Sequence, residues 1–400
     1  MTPTLPPMCA VMCGCRTISI AWLLFAPLVC PADEPPIIYF GVVEPPVVAQ
    51  KDITVEMPRS PLGGAGPLEG SGLAWIDGSL LLVSDHHEHI LINCPISLDT
   101  LDVPPPMPLI VVRNEQEMLL DCESIAVRPD ARGRPRAYGM CSLSNDKAEL
   151  PLPRRRHMLR TTLRRTPDGA LESVESTVLD LNPVRERVTR EFNELGVEPY
   201  RTYYADHVGA DKNTYRWGNV EGIAFAPAGG DDPPLLCGMR NPLLKGRAIV
   251  FVLGGIDAAF DARDVGRITL RDLFTLDLGG RGVSDLSWDP VTRGYLIAAA
   301  DSNGPKLDND RPYPPNTLRS ALFWWSGHKA DAPIRFADVP DMKIEGICRI
   351  GSTRFIAIVS DEADESEGRT SHQSVLTVLD FAGVPRPSAA GTVAPKKGKP

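Results

Sequence analysis

The chain has 400 residues, with 51 acidic against 42 basic side chains, a net charge of −9 at pH 7 and a pI near 5.4. This acidic balance excludes a nucleic-acid binder that works by neutralising phosphates with a basic surface. Glycine (34) and proline (39) make up about 18% of the chain, above the usual ~12%, while the apolar fraction of 43% is close to that of globular proteins. The chain is therefore turn-rich, but it is neither fibrous nor disordered as a whole.

The N-terminal region contains an apolar run, residues 18–29, that follows a single cation, Arg16. The run has the size of a signal-peptide hydrophobic region and is shorter than the ~20 residues that span a bilayer. We predict that residues 1–32 are a signal peptide cleaved near Ala32. An uncleaved anchor is the alternative, and lipidation at Cys30 is less favoured because a valine precedes it. The prediction implies a protein exported to the periplasm or outside the cell, with no membrane span after cleavage.

Five cysteines follow residue 32, and their number is odd and their spacing too wide for a zinc knuckle. They are Cys94, Cys122, Cys141, Cys237 and Cys348. We interpret them as small buried apolar side chains, with one disulfide between Cys122 and Cys141 as the alternative.

A five-residue repeat organises the rest of the chain. It occurs as SGLAW (71–75), ESIAV (123–127), EGIAF (221–225), SDLSW (284–288) and EGICR (345–349). Each copy is followed by a second apolar run, such as LLLVSD (80–85) or FIAIVSDE (355–362), and such a pair predicts a β-hairpin.

The spacing of the repeat predicts the fold. Its second residues lie at 72, 124, 222, 285 and 346, so the steps are 52, 98, 63 and 61 residues. The step of 98 is close to twice 49, which predicts a further unit near residues 160–190 that has lost the repeat. Units of this size suit four-stranded propeller blades. We predict an all-β protein with a single β-propeller over residues 33–383, six-bladed, with seven blades or a pair of β-sandwiches as alternatives.

Two segments depart from the strand pattern. In residues 183–196 apolar side chains recur every three or four positions, which predicts one inserted amphipathic helix ending at Gly196. Residues 384–400 are rich in Pro, Ala, Gly and Lys without periodicity, which predicts a disordered tail.

Several of these motifs resemble known families. NVEGIAFAP (219–227), LLCGMRNPLLKGRAIVFVL (235–253) and KIEGICRIG (343–351) look like an uncharacterised bacterial domain-of-unknown-function family of predicted propellers. GSGLAW…LLLVSD (70–85) resembles the esterase-like domain attached to some phytases, and the EGIA motif is shared with calcium-dependent lactonases. The resemblance covers about residues 68–382 and implies the fold more than an activity.

The repeat also predicts a site. The start of an inner propeller strand and the end of the next strand lie at the same mouth of the central channel, so Glu123, Glu221 and Glu345 should converge there with Arg240. Converging carboxylates repel unless a cation or protons neutralise them, and Ca²⁺ prefers hard oxygen ligands. We predict a site for Ca²⁺ or another divalent cation built from Glu123, Glu221, Glu345 and Asn241. Carboxylates that cap their own blades, around a channel filled with water, are the alternative.

Four residues at the same mouth are candidate catalytic residues: Arg240, Asp301, His87 and His89. The Arg240 guanidinium could orient an anionic substrate, and Asp301 or a neutral imidazole in the segment 86–89 could handle a proton. The histidines could instead be solvated turn residues or transition-metal ligands. The basic cluster 154–165 is interpreted as a solvated strand face, with an anion-binding patch as the alternative.

These observations lead to two hypotheses about function. The first is an exported, divalent-cation-dependent hydrolase that acts on a small anionic substrate such as a phosphate ester, an ester or a lactone. The second is a propeller that binds a ligand or a protein without catalysis.

Overall fold

A computed structural model describes residues 47–54, 68–85, 87–145, 152–167, 169–196, 218–227, 232–301, 320–339, 342–360 and 373–381. The predicted signal peptide and the predicted disordered tail lie outside these residues. Within these ranges, no helix is both long and apolar enough to cross a bilayer.

Twenty strands in the described residues form five antiparallel sheets of four strands, which are the blades of a β-propeller. Blade 1 contains β2 (Gly70–Ile76), β3 (Ser79–Ser84), β4 (Ile90–Pro95) and β5 (Met107–Ile110). Blade 2 contains β6 (Cys122–Pro129), β7 (Pro135–Cys141), β8 (His157–Arg165) and β9 (Leu171–Asp180). Blade 3 contains β10 (Val220–Phe225), β11 (Leu235–Leu244), β12 (Arg247–Gly254) and β13 (Thr269–Leu276).

The last two blades complete the ring. Blade 4 contains β14 (Arg281–Asp289), β15 (Gly294–Asp301), β16 (Ser320–Trp325) and β17 (Ile334–Val339). Blade 5 contains β18 (Ile344–Arg349), β19 (Phe355–Ser360), β20 (Gln373–Asp380) and, as its outer strand, β1 (Val47–Thr54). The first described strand thus pairs with the last one, which closes the ring and pairs an edge that would otherwise be open.

The core is divided among the five junctions between blades. Blades 1 and 2 share one cluster of buried apolar side chains, blades 2 and 3 the next, and so on around the ring to a cluster shared by blades 5 and 1. Because the inner and middle strands contact a neighbouring blade on each face, their side chains are apolar at nearly every position and buried on both sides. This explains the continuous apolar runs that follow each repeat.

The predicted blade count of six, or alternatively seven, is wrong, because the propeller has five blades. All five repeats lie on inner strands, and every blade has one. The long step between the repeats at 124 and 222 is a single blade extended by a helix and by residues 197–217. The spacing predicted one blade too many because α1 and residues 197–217 lengthen the connection between two blades, and additional chain in such a connection adds little to the free-energy cost of closing it.

The described residues contain two α-helices, where the sequence predicted one, and both pack beside blades 2 and 3. The predicted helix is α1 (Asn182–Leu195), which ends at Gly196 in the left-handed conformation and buries Val184, Val188 and Phe192. The second is α2 (Ile256–Ala262), whose buried Phe260 belongs to the same apolar cluster. Its seven residues are too few for a clear helical period, so the sequence did not reveal it.

The inner strands meet on the propeller axis at the second residue of the repeat. A Cβ atom added to Gly72 would lie 2.7 Å from Ser124 Cα, and one added to Gly222 would lie 2.6 Å from Leu286 N. Asp285, the largest residue at this position, is fully buried and accepts hydrogen bonds from three backbone N–H groups, two of them on blades 1 and 5 (Leu73 N, 3.3 Å; Ile347 N, 2.7 Å; Leu286 N, 2.8 Å). The channel is therefore filled by protein at this level, and its two mouths are separate.

Candidate functional site at the polar mouth of the channel

The polar mouth is the channel entrance formed by the first residues of the five repeats and by the ends of the second strands. In four blades the first residue of the repeat lies at a β-bulge, where the pairing register of the inner strand skips one residue. The skipped residues are Glu123, Glu221, Ser284 and Glu345. A bulge redirects a side chain out of the regular alternation of the strand. The bulges therefore explain how these polar side chains leave the apolar faces of their sheets.

Arg240, which lies in β11 of blade 3 just past the residues that pair with β10, bridges three of these residues. Its Nη1 lies 2.9 Å from Glu221 Oε2, and its Nη2 lies 2.5 Å from Glu345 Oε2 and donates a hydrogen bond to Ser284 Oγ at 2.6 Å. The arginine is only 6% exposed. Charge neutralisation between Glu221 and Glu345 is therefore supplied by an internal guanidinium, which holds blades 3, 4 and 5 together.

The two carboxylates on Arg240 differ in their electrostatics. Burial raises the pKa of Glu221 to about 8, and Arg240 offsets only part of this effect. Burial also acts to raise the pKa of Glu345, but Arg240 and Lys343 together hold it below its usual value. Lys343 Nζ lies 2.9 Å from Glu345 Oε1. Near neutral pH Glu345 is therefore ionised, whereas Glu221 holds a proton in much of the population.

A second group of carboxylates lies on the blade 1 and blade 2 side of the polar mouth. One carboxylate oxygen each from Asp85, Asp121 and Glu123 lies within 4.8 Å of the others. Asp85 accepts a hydrogen bond from Ser71 Oγ at 2.5 Å, and Asp121 lies 3.2 Å from the guanidinium of Arg155. We call these three carboxylates the acidic triad.

Glu123 differs from the other two members of the acidic triad. Its side chain is 7% exposed, yet within the described residues its carboxylate accepts no hydrogen bond and forms no ion pair. Burial raises its pKa well above the usual range, and the charges of Asp85 and Glu221 raise it further. Burial and the nearby Asp121 likewise raise the pKa of Asp85 to about 8. Desolvation and like charge both disfavour the ionised triad unless protons or a cation neutralise it.

The four residues predicted to bind a metal ion do not form a single cluster in the structure. Glu123 belongs to the acidic triad, whereas Glu221 and Glu345 pair with Arg240. Asn241 follows Arg240 in β11 and is 5% exposed. Metal binding itself stays a prediction, and Asp85 and Asp121 are better placed than Glu221 or Glu345 to complete a site around Glu123.

The residues predicted to be catalytic are placed as follows. Arg240 lies in the polar mouth with its donors directed at the protein's own carboxylates. Asp301 is the last residue of β15, opposite Arg281 in the pairing of β14 with β15. His87 and His89 are both 4% exposed and lie in the loop after β3, which bonds to the segment 119–121 through Leu119 N and Glu88 O at 2.7 Å. Burial lowers the pKa of His89, which keeps its imidazole neutral near pH 7.

Sequence reasoning missed Asp121 as a site residue. It lies in the loop before β6 with φ +62°, and its carboxylate accepts hydrogen bonds from Ser142 Oγ and from Ser144 Oγ, the latter at 3.3 Å. Its position two residues before Glu123 is a signal that could have been used, because a loop that enters an inner strand must lie at the same mouth.

Arginines of the basic cluster 154–165 form ion pairs with carboxylates of the protein, so the cluster is not an open anion-binding patch. Arg154 pairs with Glu88 at 3.3 Å, and Arg155 pairs with Asp121 at 3.2 Å. Farther along the cluster, Arg160 Nη1 lies 2.7 Å from Asp261 Oδ1. The cluster is thus neither a plain solvated face nor a free patch, and Arg155 is part of the polar mouth.

The five cysteines after residue 32 are all buried and unpaired. Cys122 and Cys141 face each other across β6 and β7 but form no disulfide in the structure. This agrees with their interpretation as small apolar side chains.

No protein-family profile and no curated protein sequence matches this chain. Solved structures to which this chain is similar include RS223 β-xylosidase (TM-score 0.41, 10% identity, 81% of this chain and 96% of that chain). They also include a GH43_1 enzyme from Xanthomonas citri (TM-score 0.37, 9% identity, 80% and 89%) and the Pan2 WD40 domain of Neurospora crassa (TM-score 0.30, 9% identity, 85% and 97%). Similarities this weak say nothing about activity. The resemblance to the uncharacterised propeller family and to the phytase-associated domain stays a prediction.

Proposed function

We propose that the polar mouth is a divalent-cation site and that the protein is an exported, cation-dependent hydrolase of a small anionic ester, phosphate ester or lactone. The observation that carries the proposal is the acidic triad, in which Glu123, 7% exposed, lies beside Asp85 and Asp121 and has no hydrogen-bond partner among the residues that the structure describes. Three carboxylate oxygens that converge in this way match the ligand preference of Ca²⁺.

The roles of the neighbouring residues follow from their partners. A cation at the acidic triad would attract the anionic group of a substrate and would lower the pKa of a bound water. Hydrolysis of such a substrate would add the oxygen of a water molecule to the acyl carbon or the phosphorus, break the bond to the leaving oxygen and transfer one proton to that oxygen. His89 suits the proton-handling role, because burial keeps its imidazole neutral, and His87 and Asp301 remain candidates for the same role. Arg240 holds Glu221 and Glu345 in place instead of orienting substrate.

The metal site is tested by calorimetric titration of the purified protein with Ca²⁺ after treatment with EDTA. The wild-type protein should bind one ion, and Glu123→Gln should weaken binding by about tenfold or more because it removes a charged ligand. Glu172→Gln, which changes an exposed glutamate on β9, is the matched control and should bind like wild type. Absence of Ca²⁺-dependent heat in the wild-type protein, or equal binding by both variants, would overturn the site.

The activity is tested separately with nitrophenyl phosphates, nitrophenyl esters and lactones, each with Ca²⁺ and with EDTA. We expect hydrolysis of one class that requires Ca²⁺ and is lost in Glu123→Gln but not in Glu172→Gln. Hydrolysis that is insensitive to EDTA and to Glu123→Gln would place the chemistry elsewhere.

One observation favours the second candidate function, a propeller that binds a ligand without catalysis. The only guanidinium predicted to orient substrate, that of Arg240, is 6% exposed and already satisfied by two carboxylates and a serine. Calcium binding without hydrolysis of any of the three substrate classes would support this second candidate.

A further inference from the structure

The opposite end of the channel has a different chemistry. The fifth residues of the repeats, Trp75, Val127, Phe225, Trp288 and Arg349, line a cavity of about 380 Å³ at the C-terminal ends of the five inner strands. Its rim includes three exposed prolines, Pro129, Pro227 and Pro290, so the cavity is open to solvent. We call this entrance the apolar mouth.

The volume of the cavity indicates what kind of ligand could bind in it. Sites for small molecules usually measure about 300 to 1,000 Å³, are concave and are lined mainly by apolar and aromatic side chains. At about 380 Å³ this cavity is at the lower end of that range, which suits a compact small molecule better than a peptide. Three aromatic side chains from blades 1, 3 and 4 contribute to its lining, and flat rings pack well against aromatic faces.

The charges around the cavity indicate that the occupant is neutral. Arg349 is buried, and its guanidinium is bound by both carboxylate oxygens of Asp289, at 3.0 and 2.5 Å. Arg128 pairs with Asp257 and lies over the ring of Phe225, with 4.8 Å from its guanidinium carbon to the ring centroid. Both arginines in the lining therefore have a carboxylate partner, which Arg128 shares with Arg136 and Arg160, and neither guanidinium needs an anionic ligand as its counter-charge.

We propose that the apolar mouth is a binding site for a small, neutral, flat aromatic or similarly apolar molecule. The site is separate from the acidic triad because Asp285 and the close-packed second residues of the repeats fill the channel between the two mouths. The proposal does not depend on metal binding or hydrolysis at the polar mouth.

The test uses two fluorescent probes of similar shape and different charge on the full chain. The neutral probe N-phenyl-1-naphthylamine should bind saturably, and the anionic 8-anilinonaphthalene-1-sulfonate should bind about tenfold more weakly or not at all. Trp288→Ala should weaken binding of the neutral probe by about tenfold, since it removes one of the three aromatic walls. Ala226→Phe, which fills the cavity while keeping every aromatic wall, should weaken it at least as much.

Trp324→Ala is the matched control. Trp324 lies on β16 of the same blade as Trp288, is partly buried, and donates a hydrogen bond to Thr292 Oγ1 at 2.9 Å outside the cavity. This variant should bind the neutral probe like wild type. Unsaturable binding, equal or tighter binding of the sulfonate, or undiminished binding by Ala226→Phe would each overturn the proposal, and Ala226→Phe keeps the test decisive if Trp288→Ala does not fold.

Discussion

The two mouths of the channel are built by the same five-residue repeat, yet one is acidic and the other apolar. The first residue of the repeat is Ser or Glu in all five copies, whereas the fifth is Trp, Val, Phe, Trp and Arg in chain order. Position two is small in four copies, with Asp285 as the exception, and it closes the channel between the ends. The first residue of the motif thus specifies the acidic mouth, the second specifies the packed axis, and the fifth specifies the apolar mouth.

The buried arginines at the two mouths differ in the number of carboxylates that they bind. Arg349, at the apolar mouth, is bound by a single carboxylate, that of Asp289, and by two backbone carbonyls. Arg240, at the polar mouth, pairs with two carboxylates, and burial raises the pKa of one of them, Glu221, to about 8. The polar mouth therefore holds more acid than its cations neutralise, and this excess is what a metal ion could stabilise.

The largest effect is expected from Arg240→Met. Removing the guanidinium leaves Glu221 and Glu345 buried without their shared partner, and loss of one member of a buried ion pair typically costs about 3 to 5 kcal/mol. The free energy of unfolding, measured with urea at pH 7, should fall by about this amount. Adding Glu221→Gln and Glu345→Gln should recover a large part of it, because no buried charge is then left unpaired.

Arg164→Met is the control for this experiment. Arg164 pairs with Glu172 on the outer strands of blade 2, where both side chains are exposed, and exposed pairs contribute about 1 kcal/mol or less. Equal effects of Arg240→Met and Arg164→Met would show that Arg240 is not essential to the polar mouth.

A smaller effect is expected at the packed axis that separates the mouths. Gly72 has φ +44°, and a Cβ atom there would lie 2.7 Å from Ser124 Cα. Gly72→Ala should therefore lower the free energy of unfolding by about 2 to 3 kcal/mol, from backbone strain and overpacking together. Gly246→Ala carries only the strain of φ +75°, with no atom within 4 Å, and should cost about 1 kcal/mol. A Gly72→Ala variant as stable as Gly246→Ala would mean that the inner strands are not packed at this level.

The smallest effect, measured per pH unit, is a dependence of stability on pH in the metal-free protein. Burial raises the pKa of Asp85 from 3.8 to about 8, so between these values the folded state binds a proton that the unfolded state has released. This contribution to stability is full below pH ~4, declines by at most about 1.4 kcal/mol per pH unit as the pH rises, and is lost above pH ~8. Asp85→Asn should lower this slope in urea titrations run from pH 4 to 9 in EDTA. Equal slopes in wild type and variant would contradict the raised pKa.

Sequence predicted only those site residues that lie in the repeat or in the apolar run that follows it. Glu123, Glu221 and Glu345 occupy equivalent positions in three repeats, and Arg240 lies near the end of a second apolar run, so propeller geometry alone places all four at one mouth. Which carboxylate pairs with the arginine depends on bulges and on the angle between blades. These are determined by packing of all five sheets, and no local pattern encodes them. Asp121 was missed for a different reason: it lies outside the repeat, and its position two residues before Glu123, in the loop that leads into β6, was not used as a signal.

The sequence alone determined the blades' inner hairpins, the helix 182–195 and the acidic character of one mouth, because these depend on local alternation, capping and residue type. The number of blades was decided by the tertiary structure: five sheets close the ring, while α1 and residues 197–217 lengthen one step of the repeat to nearly twice its usual size. The tertiary structure also determined the apolar mouth. Trp75, Phe225 and Trp288 are 150 and 63 residues apart along the chain, and only closure of the ring gathers them around one cavity.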